Sequence, residues 1–199
     1  MMNQSIVKRI YHASGDTRLH ILKTASQLFY TKGFRAVGVD EIIREANIAR
    51  ATLYRHFNGK DELITAYLSE RERVFIAQMQ EIPLDLAQSP AEKIFTIFEQ
   101  LRSKQNSPEF RGCAFFLALS EYSDFEPVRT IAFRYKEFVR DFFADVLGPD
   151  VQASLADQLA MIYEGALATL VVRPATSVTD NAIACVKALL LVHKLYDNE

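Results

Sequence analysis

The segment GVDEIIREANIARATLYRHFNGKDEL, residues 38–63, is the most informative part of this 199-residue chain. Its first part has apolar residues at the spacing of one helical face: Val39, Ile42, Ile43 and Ala46. Asn47 follows, and Asn adopts the left-handed conformation that often ends a helix more readily than most residues do. The next segment would bury Ile48, Leu53 and Phe57. The stretch therefore predicts two short helices joined by a tight turn.

The second of these helices has a polar face that is rich in hydrogen-bond donors. The face contains Arg50, Thr52, Tyr54, Arg55 and His56. A short helix with such a surface, held across a neighbouring helix by a tight turn, is suited to the major groove of DNA. The stretch is therefore interpreted as a helix-turn-helix.

The string ATLYRHFNGKDEL, residues 51–63, closely resembles the end of the DNA-binding domain of tetracycline-repressor-like (TetR-type) regulators. The preceding segment, residues 21–49, resembles the upstream part of that domain, and the resemblance is strong from about Asp16 to Tyr67. It implies an all-α protein with an N-terminal three-helix helix-turn-helix domain, residues 14–76. A larger helical effector-binding and dimerisation domain would follow, residues 77–199.

Three positions depart from the family pattern. Asn47 stands at the usual glycine of the turn, and Ala49 replaces the usual Ser or Thr that starts the recognition helix. Loss of a favoured N-cap side chain typically costs about 1 kcal/mol. Gly38 stands where a Thr often precedes the second helix, so the contacts that these hydroxyl groups usually make are missing.

The resemblance also implies that seven residues contact DNA: Arg50, Ala51, Thr52, Tyr54, Arg55, His56 and Lys60. The arginines and the threonine would face base edges, because Arg can donate two hydrogen bonds to guanine, and the alanine methyl would pack on thymine. The tyrosine, the histidine and the lysine would bind the DNA backbone and fix the register. The alternatives are packing between helices for the tyrosine and the histidine, and a solvated side chain for Arg50.

Charge is distributed unevenly along the chain. Residues 1–60 contain ten Lys or Arg and four Asp or Glu, a net charge of +6, whereas the remainder carries −8 and the whole chain −2. A localised positive surface can bind phosphates while an acidic remainder limits nonspecific adhesion.

Composition and cysteine content narrow the class of protein. The hydrophobic content of 49% is ordinary for a globular protein. No apolar run is expected to reach the length of a membrane span. The polar start MMNQSIVKR lacks the apolar core of a secretory signal. Cys113 and Cys185 fit no metal spacing, so we expect reduced thiols in a cytoplasmic protein without metal, cofactor or membrane partner.

Breaking residues divide the chain into helices. Residues 1–13 are expected to form a polar arm, and the first helix should run from Asp16 to Lys32, where Gly33 ends it. Asn58 is expected to cap the next helix, with Asp61 three positions on. Later helices are predicted to start at Pro90 and to cover residues 126–147, 151–172 and 178–196. Because no strand-like alternation occurs, the chain should be all helical, with about nine helices.

The second half is rich in aromatic residues, which fits a ligand cavity lined by aromatic side chains with a few polar groups among them. The candidate ligand contacts are Phe95, Phe98, Phe116, Glu121, Tyr122, Phe133 and Tyr163. At helical spacing such aromatic residues are more often core residues, and the glutamate is more often a surface charge. Cys113 is a candidate redox or electrophile sensor, although its apolar neighbourhood favours an inert buried thiol.

The last two predicted helices are apolar over more than one face. The small residues of GALAT, Gly165 to Thr169, allow close approach of another helix. The family resemblance implies a four-helix dimer bundle made from residues 151–172 and 178–196 of each subunit.

These features predict a homodimeric, ligand-responsive transcriptional regulator that is not an enzyme. It would be a repressor that reads palindromic operator DNA with two recognition helices and is released by a small apolar or amphipathic effector. Two alternatives stay open. One is a DNA-binding regulator without a small-molecule effector, and the other is an all-helical enzyme or lipid-type carrier whose helix-turn-helix is only structural.

Overall fold

Helices form the regular secondary structure of the computed structural model, which describes residues 4–82, 87–105, 110–149, 153–173 and 176–196. They are α1 Gln4–Lys32, α2 Val39–Glu45, α3 Arg50–His56, α4 Lys60–Gln80, α5 Pro90–Glu99, α6 Leu101–Gln105, α7 Ala114–Glu121, α8 Glu126–Leu147, α9 Ala153–Val172 and α10 Thr176–Val192. Gln100 alone separates α5 from α6, so the described residues contain nine helices when these two are counted together. No strand occurs within the described ranges, and the predicted all-α class is confirmed.

The helices are arranged in two compact units. The N-terminal unit contains Met1–Arg71 and Leu117–Ile131, and the C-terminal unit contains Glu72–Phe116 and Ala132–Glu199. Three helices, α4, α7 and α8, contribute residues to both units, because the divisions fall within them. The division into functional domains between residues 76 and 77 stays a prediction.

The core of the N-terminal unit is built from residues that the sequence pattern marks as apolar. Helix α1 buries the predicted set, Ile21, Leu22, Ala25, Leu28 and Phe29. Phe34, just after this helix, stacks on Phe29 with the ring centroids 5.4 Å apart. Tyr67 of α4 lies 6.2 Å from the Phe29 ring and 5.7 Å from the Phe34 ring. The three rings therefore join α1, the loop after it and α4.

Left-handed residues end three helices where the sequence predicts them. Gly33 follows α1 with a φ of +93°, and Gly148 follows α8 with a φ of +85°. Asn47 has a φ of 51° and donates its backbone N–H to the carbonyl of Arg44 at 3.1 Å, so the chain turns away from α2 there. Because few residues tolerate positive φ, these turns depend on the residue types that the sequence supplies.

The first helix is longer than the sequence predicts. It begins at Gln4, so the expectation of a polar arm is wrong from Gln4 onward, while residues 1–3 lie outside the described ranges. Gly15 lies inside the helix, where glycine costs roughly 1 kcal/mol relative to alanine. No proline interrupts the segment, and one glycine does not stop a helix of 29 residues.

Capping at the start of α4 also differs from the prediction. Glu62, rather than Asp61, contacts Asn58, and its Oε2 accepts hydrogen bonds from the backbone N and the side-chain Nδ2 of Asn58, each at 2.8 Å. Gly59 lies between Asn58 and the first helical residue, Lys60. The helix therefore begins one residue later than an Asn58 cap requires, and an acid of its first turn reaches back instead.

Three aromatic side chains lie together in the core of the C-terminal unit. Phe98 of α5 has its ring centroid 5.8 Å from those of Phe143 and Tyr163, which are 6.1 Å apart, and all three residues are buried. The predicted start of α5 is confirmed by a capping box, in which Ser89 and Glu92 each accept from the other's backbone N–H. This box fixes the beginning of the helix that carries Phe98.

The last two helices agree with the prediction apart from the two ends of α10, which begins at Thr176 rather than at residue 178. Helix α9 is described from Ala153, since residues 150–152 lie outside the described ranges. Helix α10 ends at Val192, so the predicted end near Tyr196 is too late. The chain turns at Lys194, which has a φ of 57°.

The apolar character of α9 corrects a further expectation. Its segment Ser154–Val172 has 19 residues and a mean hydropathy of 1.4, which is long and apolar enough to cross a membrane by length and composition. The expectation that no apolar run reaches that length is therefore wrong. Leu155, Leu159 and Tyr163 of this helix are buried in the C-terminal unit, and core helices of globular proteins meet the same criterion.

Candidate nucleic-acid interface

Helices α2 and α3 are joined by a tight turn in the N-terminal unit. The N–H of Ile48 in this turn donates to the carbonyl of Ile43 at 3.2 Å. Ile42 of α2 and Leu53 of α3 are fully buried. His20 of α1 connects to the same turn, because its Nε2 lies 2.9 Å from the carbonyl oxygen of Ala46. The arrangement is the predicted helix-turn-helix, with α1 supporting its turn.

Helix α3 keeps most of its polar side chains in solvent. Arg50, Ala51, Tyr54 and Arg55 are exposed, and Thr52 is half-buried. Tyr54 is 45% exposed although it is a large aromatic residue. The helix therefore offers guanidinium, hydroxyl and methyl groups to a partner, and these are the groups that contact base edges and phosphates.

Neither α2 nor α3 has a side-chain N-cap. Gly38 and Ala49 occupy the N-cap positions in extended conformation, without a side-chain hydrogen bond to the helix. The departure at Ala49 thus has the expected local effect. The first amides of α3 are left without a hydroxyl partner from the position where Ser or Thr usually stands.

Arg50 is paired with an acidic residue of the neighbouring helix. Its guanidinium forms an ion pair with the carboxylate of Asp40 in α2, and the two side chains are 61% and 75% exposed. An exposed pair of this kind contributes about 0–1 kcal/mol to stability. The main effect of this ion pair is on the orientation of the Arg50 side chain. The sequence did not indicate the pair, because its two partners lie on different helices.

His56 and Lys60 have different surroundings. His56 is half-buried, and its Nε2 is buried without a hydrogen-bond partner among the described residues. Lys60 begins α4, and its Nζ donates to the carbonyl of Arg35 at 3.4 Å. The same Nζ lies 5.9 Å from the ring centroid of Tyr122. Lys60 is therefore held at a helix start, where free amides also favour an anion.

Further cations of this unit were not singled out from the sequence. The guanidinium of Arg18 lies over the Phe57 ring, 4.6 Å from its centroid. Lys32 of α1 pairs with Glu41 of α2 at 2.7 Å, and this hydrogen bond lowers the pKa of the Glu41 carboxyl from its ordinary 4.5. These contacts hold α1 against the two helices of the motif, and they could be recognised only once the helices are packed.

The N-terminal unit also matches a known family. Residues 21–67 match the family model of bacterial regulatory proteins, tetR family. The chain is similar to the crystal structure of SCO4454, a TetR-family transcriptional regulator from Streptomyces coelicolor, with a TM-score of 0.81 and 32% sequence identity. That similarity covers 89% of this chain and 96% of SCO4454. The chain belongs to the TetR family.

Two relatives from Bacillus subtilis (strain 168) support the assignment of this TetR-family protein as a transcriptional regulator. HTH-type transcriptional regulator LmrA is 27% identical over 184 residues, covering 88% of this chain and 97% of LmrA. The uncharacterized HTH-type transcriptional regulator YxaF is 31% identical over 123 residues, 60% of this chain. The second match spans 64% of YxaF, slightly less than two thirds of its length.

Five of the seven predicted ligand contacts of the TetR-family regulator lie in the C-terminal unit, where they have unlike surroundings. Phe98 and Tyr163 are buried core residues, whereas Phe116 and Phe133 are 64% and 65% exposed. Phe95 is half-buried and packs edge-on against Tyr196, with the ring centroids 5.2 Å apart. Their burial differs because helical spacing distributes aromatic side chains over both core and surface, and their role as ligand contacts stays a prediction.

The other two predicted ligand contacts, Glu121 and Tyr122, lie in the N-terminal unit. The Glu121 carboxylate accepts the backbone N–H of Phe34 at 3.1 Å and that of Arg35 at 2.6 Å. The Glu121 carbonyl accepts from Nε of Arg35 at 2.8 Å. Both predicted residues therefore belong to the unit that contains the helix-turn-helix, a placement that no local sequence pattern indicates.

A cavity of about 320 Å³ lies in the C-terminal unit. Its lining combines apolar and polar side chains: Phe75, Gln78, Met79, Glu81, Ile82, Gln100, Ser103, Lys104 and Tyr163. Of the predicted ligand contacts, Tyr163 alone is in this set. The volume is near the lower end of the range for small-molecule sites, and the mixed lining suits an amphipathic molecule.

The two cysteines differ in their exposure. Burial is the main cause that raises the pKa of the Cys113 thiol from its ordinary 9.0, and the charge of Glu164 acts in the same direction. Cys113 is half-buried, and its raised pKa reduces the fraction of the reactive thiolate, which favours an inert thiol over a sensor. Cys185 is exposed, and both residues are free thiols. Within the described residues, no group of three or more His, Cys, Asp and Glu side chains is placed to hold a metal ion.

Proposed function

We propose that this TetR-family regulator is a cytoplasmic homodimeric repressor that binds palindromic operator DNA and is released by a small amphipathic effector. The observation that carries the DNA-binding part is the exposed polar surface of α3 above the fully buried Leu53. A short helix fixed in this way can enter the major groove and keep its side chains in register with the base edges.

Roles on this surface follow from the chemistry and exposure of the side chains. Base edges are contacted by Arg50, Ala51, Thr52 and Arg55, and the DNA backbone by Tyr54, His56 and Lys60. The exposure of the arginines and of Tyr54 supports their roles. For His56, the burial of Nε2 supports the alternative of packing between helices, since DNA would have to reach the ring through its other nitrogen.

Selection of binding sites from random duplex DNA at moderate salt tests the operator part. We expect an enriched palindrome whose half-sites are separated by about one helical turn or a multiple of it. Arg50→Ala should weaken binding to the enriched site by about 5- to 150-fold, and binding to random DNA much less, because a good base contact discriminates by about 1–3 kcal/mol. Arg140→Ala, in the C-terminal unit, is the matched control. Equal losses on both DNAs would reduce Arg50 to a phosphate contact.

The dimer is proposed to form through residues 151–172 and 178–196. Four large apolar side chains of these helices are exposed in the single chain: Met161, Val171, Val172 and Val192. Apolar surface of this kind is stabilised when a partner covers it. Light scattering after size exclusion should show a dimer for the native chain and a monomer for Val172→Glu. Ala144→Glu, at an exposed position of α8, should stay dimeric.

The effector is proposed to occupy the cavity of the C-terminal unit that contains Tyr163. Release of operator DNA requires that the effector bind the two conformations of the protein with different affinity. The helix that starts at Lys60 is proposed to transmit the conformational change to the DNA-binding helices. The apolar side chains of Phe75 and Met79 would take the apolar part of the molecule, and Gln78, Ser103 and neighbouring polar groups its hydrogen-bonding part.

Operator release is tested by adding small amphipathic compounds to the complex of the protein with the enriched DNA and following fluorescence anisotropy. A compound that releases the native protein should also release Ala144→Trp, because this substitution lies on the exposed surface of α8. The same compound should not release the Ser103→Trp variant from the operator DNA, because the larger side chain fills the cavity. Release of both variants would place the effector elsewhere, and release by no compound would favour a regulator without an effector.

A further inference from the structure

We propose that Glu121 and Tyr122 are positioning residues for DNA binding, and we name these two residues the Glu121–Tyr122 clasp. They hold the backbone of Arg35 and the side chain of Lys60 in place, so that Lys60 can contact a DNA phosphate. The inference rests on the proposed function, because Lys60 is assigned there to the DNA backbone.

The first contact of the clasp is with the turn between α1 and α2. Both carboxylate oxygens of Glu121 are used, one by the N–H of Phe34 at 3.1 Å and the other by the N–H of Arg35 at 2.6 Å. The backbone carbonyl of Glu121 accepts from Nε of Arg35 at 2.8 Å. Hydrogen bonds to a carboxylate are stronger than bonds between neutral groups, so one residue at the end of α7 fixes this turn from 86 positions further along the chain.

The turn is shaped to accept the carboxylate. Gly33 has a φ of +93°, which most side chains do not tolerate, and a Cβ on this residue would lie 3.1 Å from Oε1 of Glu121. The glycine therefore serves two purposes, since it ends α1 and leaves room for Glu121. A carboxylate that fits against a turn and satisfies two consecutive backbone amides is held in one orientation.

The second contact of the clasp is with Lys60. Its Nζ donates to the carbonyl of Arg35 at 3.4 Å and lies 5.9 Å from the centroid of the Tyr122 ring. Glu121 thus acts on Lys60 through the backbone of Arg35, and Tyr122 acts on it directly by a cation–π interaction. A long lysine side chain has many rotamers, and restricting them before binding reduces the entropy that DNA binding would otherwise cost.

The clasp explains why two residues predicted as effector contacts lie next to the DNA-binding helices. The hydrogen bonds of Arg35 to Glu121 are solvent-exposed, and exposed polar contacts contribute little to global stability. Their effect should be larger on a process that needs Arg35 and Lys60 in fixed places. Binding of DNA phosphates is such a process, because phosphate contacts set the register of the protein on the duplex.

Salt dependence of DNA binding distinguishes positioning from a merely structural role. The slope of log affinity against log salt is negative, and loss of one phosphate contact decreases its magnitude by about 0.9. Partial unfolding instead lowers the active fraction and leaves the slope of the folded protein unchanged. The full-length protein and its variants are titrated with the enriched operator DNA at several salt concentrations, with circular dichroism as the check on folding.

Glu121→Gln replaces one accepting oxygen by an NH2 group that faces an N–H donor. We expect roughly tenfold weaker operator binding at low salt. The magnitude of the salt slope should decrease by the amount that corresponds to about one to two phosphate contacts. Tyr122→Leu removes the ring over Lys60 and should lower the affinity by about two- to fivefold with a smaller change in slope. Glu126→Gln removes an exposed acid from the same segment, residues 117–131, and should change neither quantity.

Lys60→Ala separates failure of this inference from failure of the proposed function. If Lys60→Ala lowers the slope and Glu121→Gln and Tyr122→Leu do not, the clasp does not position Lys60 and the inference is overturned. If Lys60→Ala leaves the slope unchanged, Lys60 is not a phosphate contact, and both the inference and that part of the proposed function fail. The double variant Glu121→Gln/Lys60→Ala should lose less binding free energy for the operator than the two single variants lose in sum. Such a result would show that Glu121 acts through Lys60 and would support the inference.

Discussion

Arg50 of α3 and Asp40 of α2 form an ion pair on the exposed surface of the helix-turn-helix. A negative charge is thereby fixed beside the residue that is proposed to read bases. The carboxylate repels DNA phosphates, while its bond to the guanidinium limits the orientations of Arg50. Asp40 should therefore act on specificity, by weakening binding to random DNA more than binding to an operator that offers Arg50 a guanine.

Asp40→Asn tests this role. We expect affinity for random DNA to rise roughly threefold, the effect of removing one charge about 6 Å from a phosphate in water, and the ratio of operator to random affinity to fall. Anisotropy titrations with both DNAs at one salt concentration measure the ratio. Glu45→Gln removes the same charge from an exposed position of α2 without touching Arg50, and it should leave the ratio unchanged. A similar fall in both variants would mean that only net charge matters.

The left-handed conformation of Asn47 makes a second prediction. Asn47→Ala should lower the free energy of unfolding by about 1 kcal/mol, because an alanine side chain disfavours a positive φ and lacks the local hydrogen bonding of Asn. Asn47→Gly should be neutral or slightly stabilising, since glycine accepts this φ without strain but loses more entropy on folding. Urea unfolding of the two variants beside the native chain measures both effects. An alanine variant as stable as the glycine variant would contradict the argument.

The helix-turn-helix could be predicted because the information is local. Ile42, Asn47 and Leu53 lie within twelve positions, and their apolar spacing and turn chemistry specify two helices and the angle of the chain between them. The start of the helix at Pro90 could be predicted for the same reason, because proline suits the first turn of a helix. The start of α1 at Gln4 could not, since a polar segment with no breaker leaves its helicity to packing and propensity.

Contacts between distant parts of the chain could not be predicted in this way. Glu121 and Arg35 are 86 positions apart, and no local pattern shows which surface the end of α7 meets. The aromatic residues of the second half pose a related problem. Phe98 and Phe116 have the same side chain at helical spacing, yet one is fully buried and the other is 64% exposed. Periodicity gives the apolar face of a helix but does not tell whether a neighbour covers it.

The capping box of α5 makes a prediction about stability. Ser89→Ala removes the side-chain acceptor for the N–H of Glu92 and should lower the free energy of unfolding by about 1 kcal/mol. Thermal or urea unfolding measures the loss. Ser69→Ala changes the same residue type at an exposed position inside α4, where alanine is the better helix former, so it should not destabilise the protein. Equal stability of the two variants would show that the box contributes nothing.

Buried phenols and the thiol predict a loss of stability at alkaline pH. Burial is the main reason why the pKa values of Tyr135 and Tyr163 lie above the ordinary value of 10.0 for a phenol. It also raises the pKa of the Cys113 thiol above its ordinary value of 9.0. The folded protein keeps protons that the unfolded chain releases. These groups therefore favour the folded state fully below their ordinary pKa values, and this stabilisation is lost as the pH rises above those values.

Tyr163→Phe isolates one of these groups while keeping a ring against Phe98 and Phe143. Above pH 10 the free energy of unfolding of the native chain should fall faster than that of the variant, by up to about 1.4 kcal/mol per pH unit, the value for one proton. Urea unfolding at several pH values between 8 and 11 gives the two slopes. Tyr54→Phe, which removes an exposed phenol, is the matched control. If Tyr163→Phe keeps the native slope, the unfolded chain does not release a proton that folded Tyr163 retains.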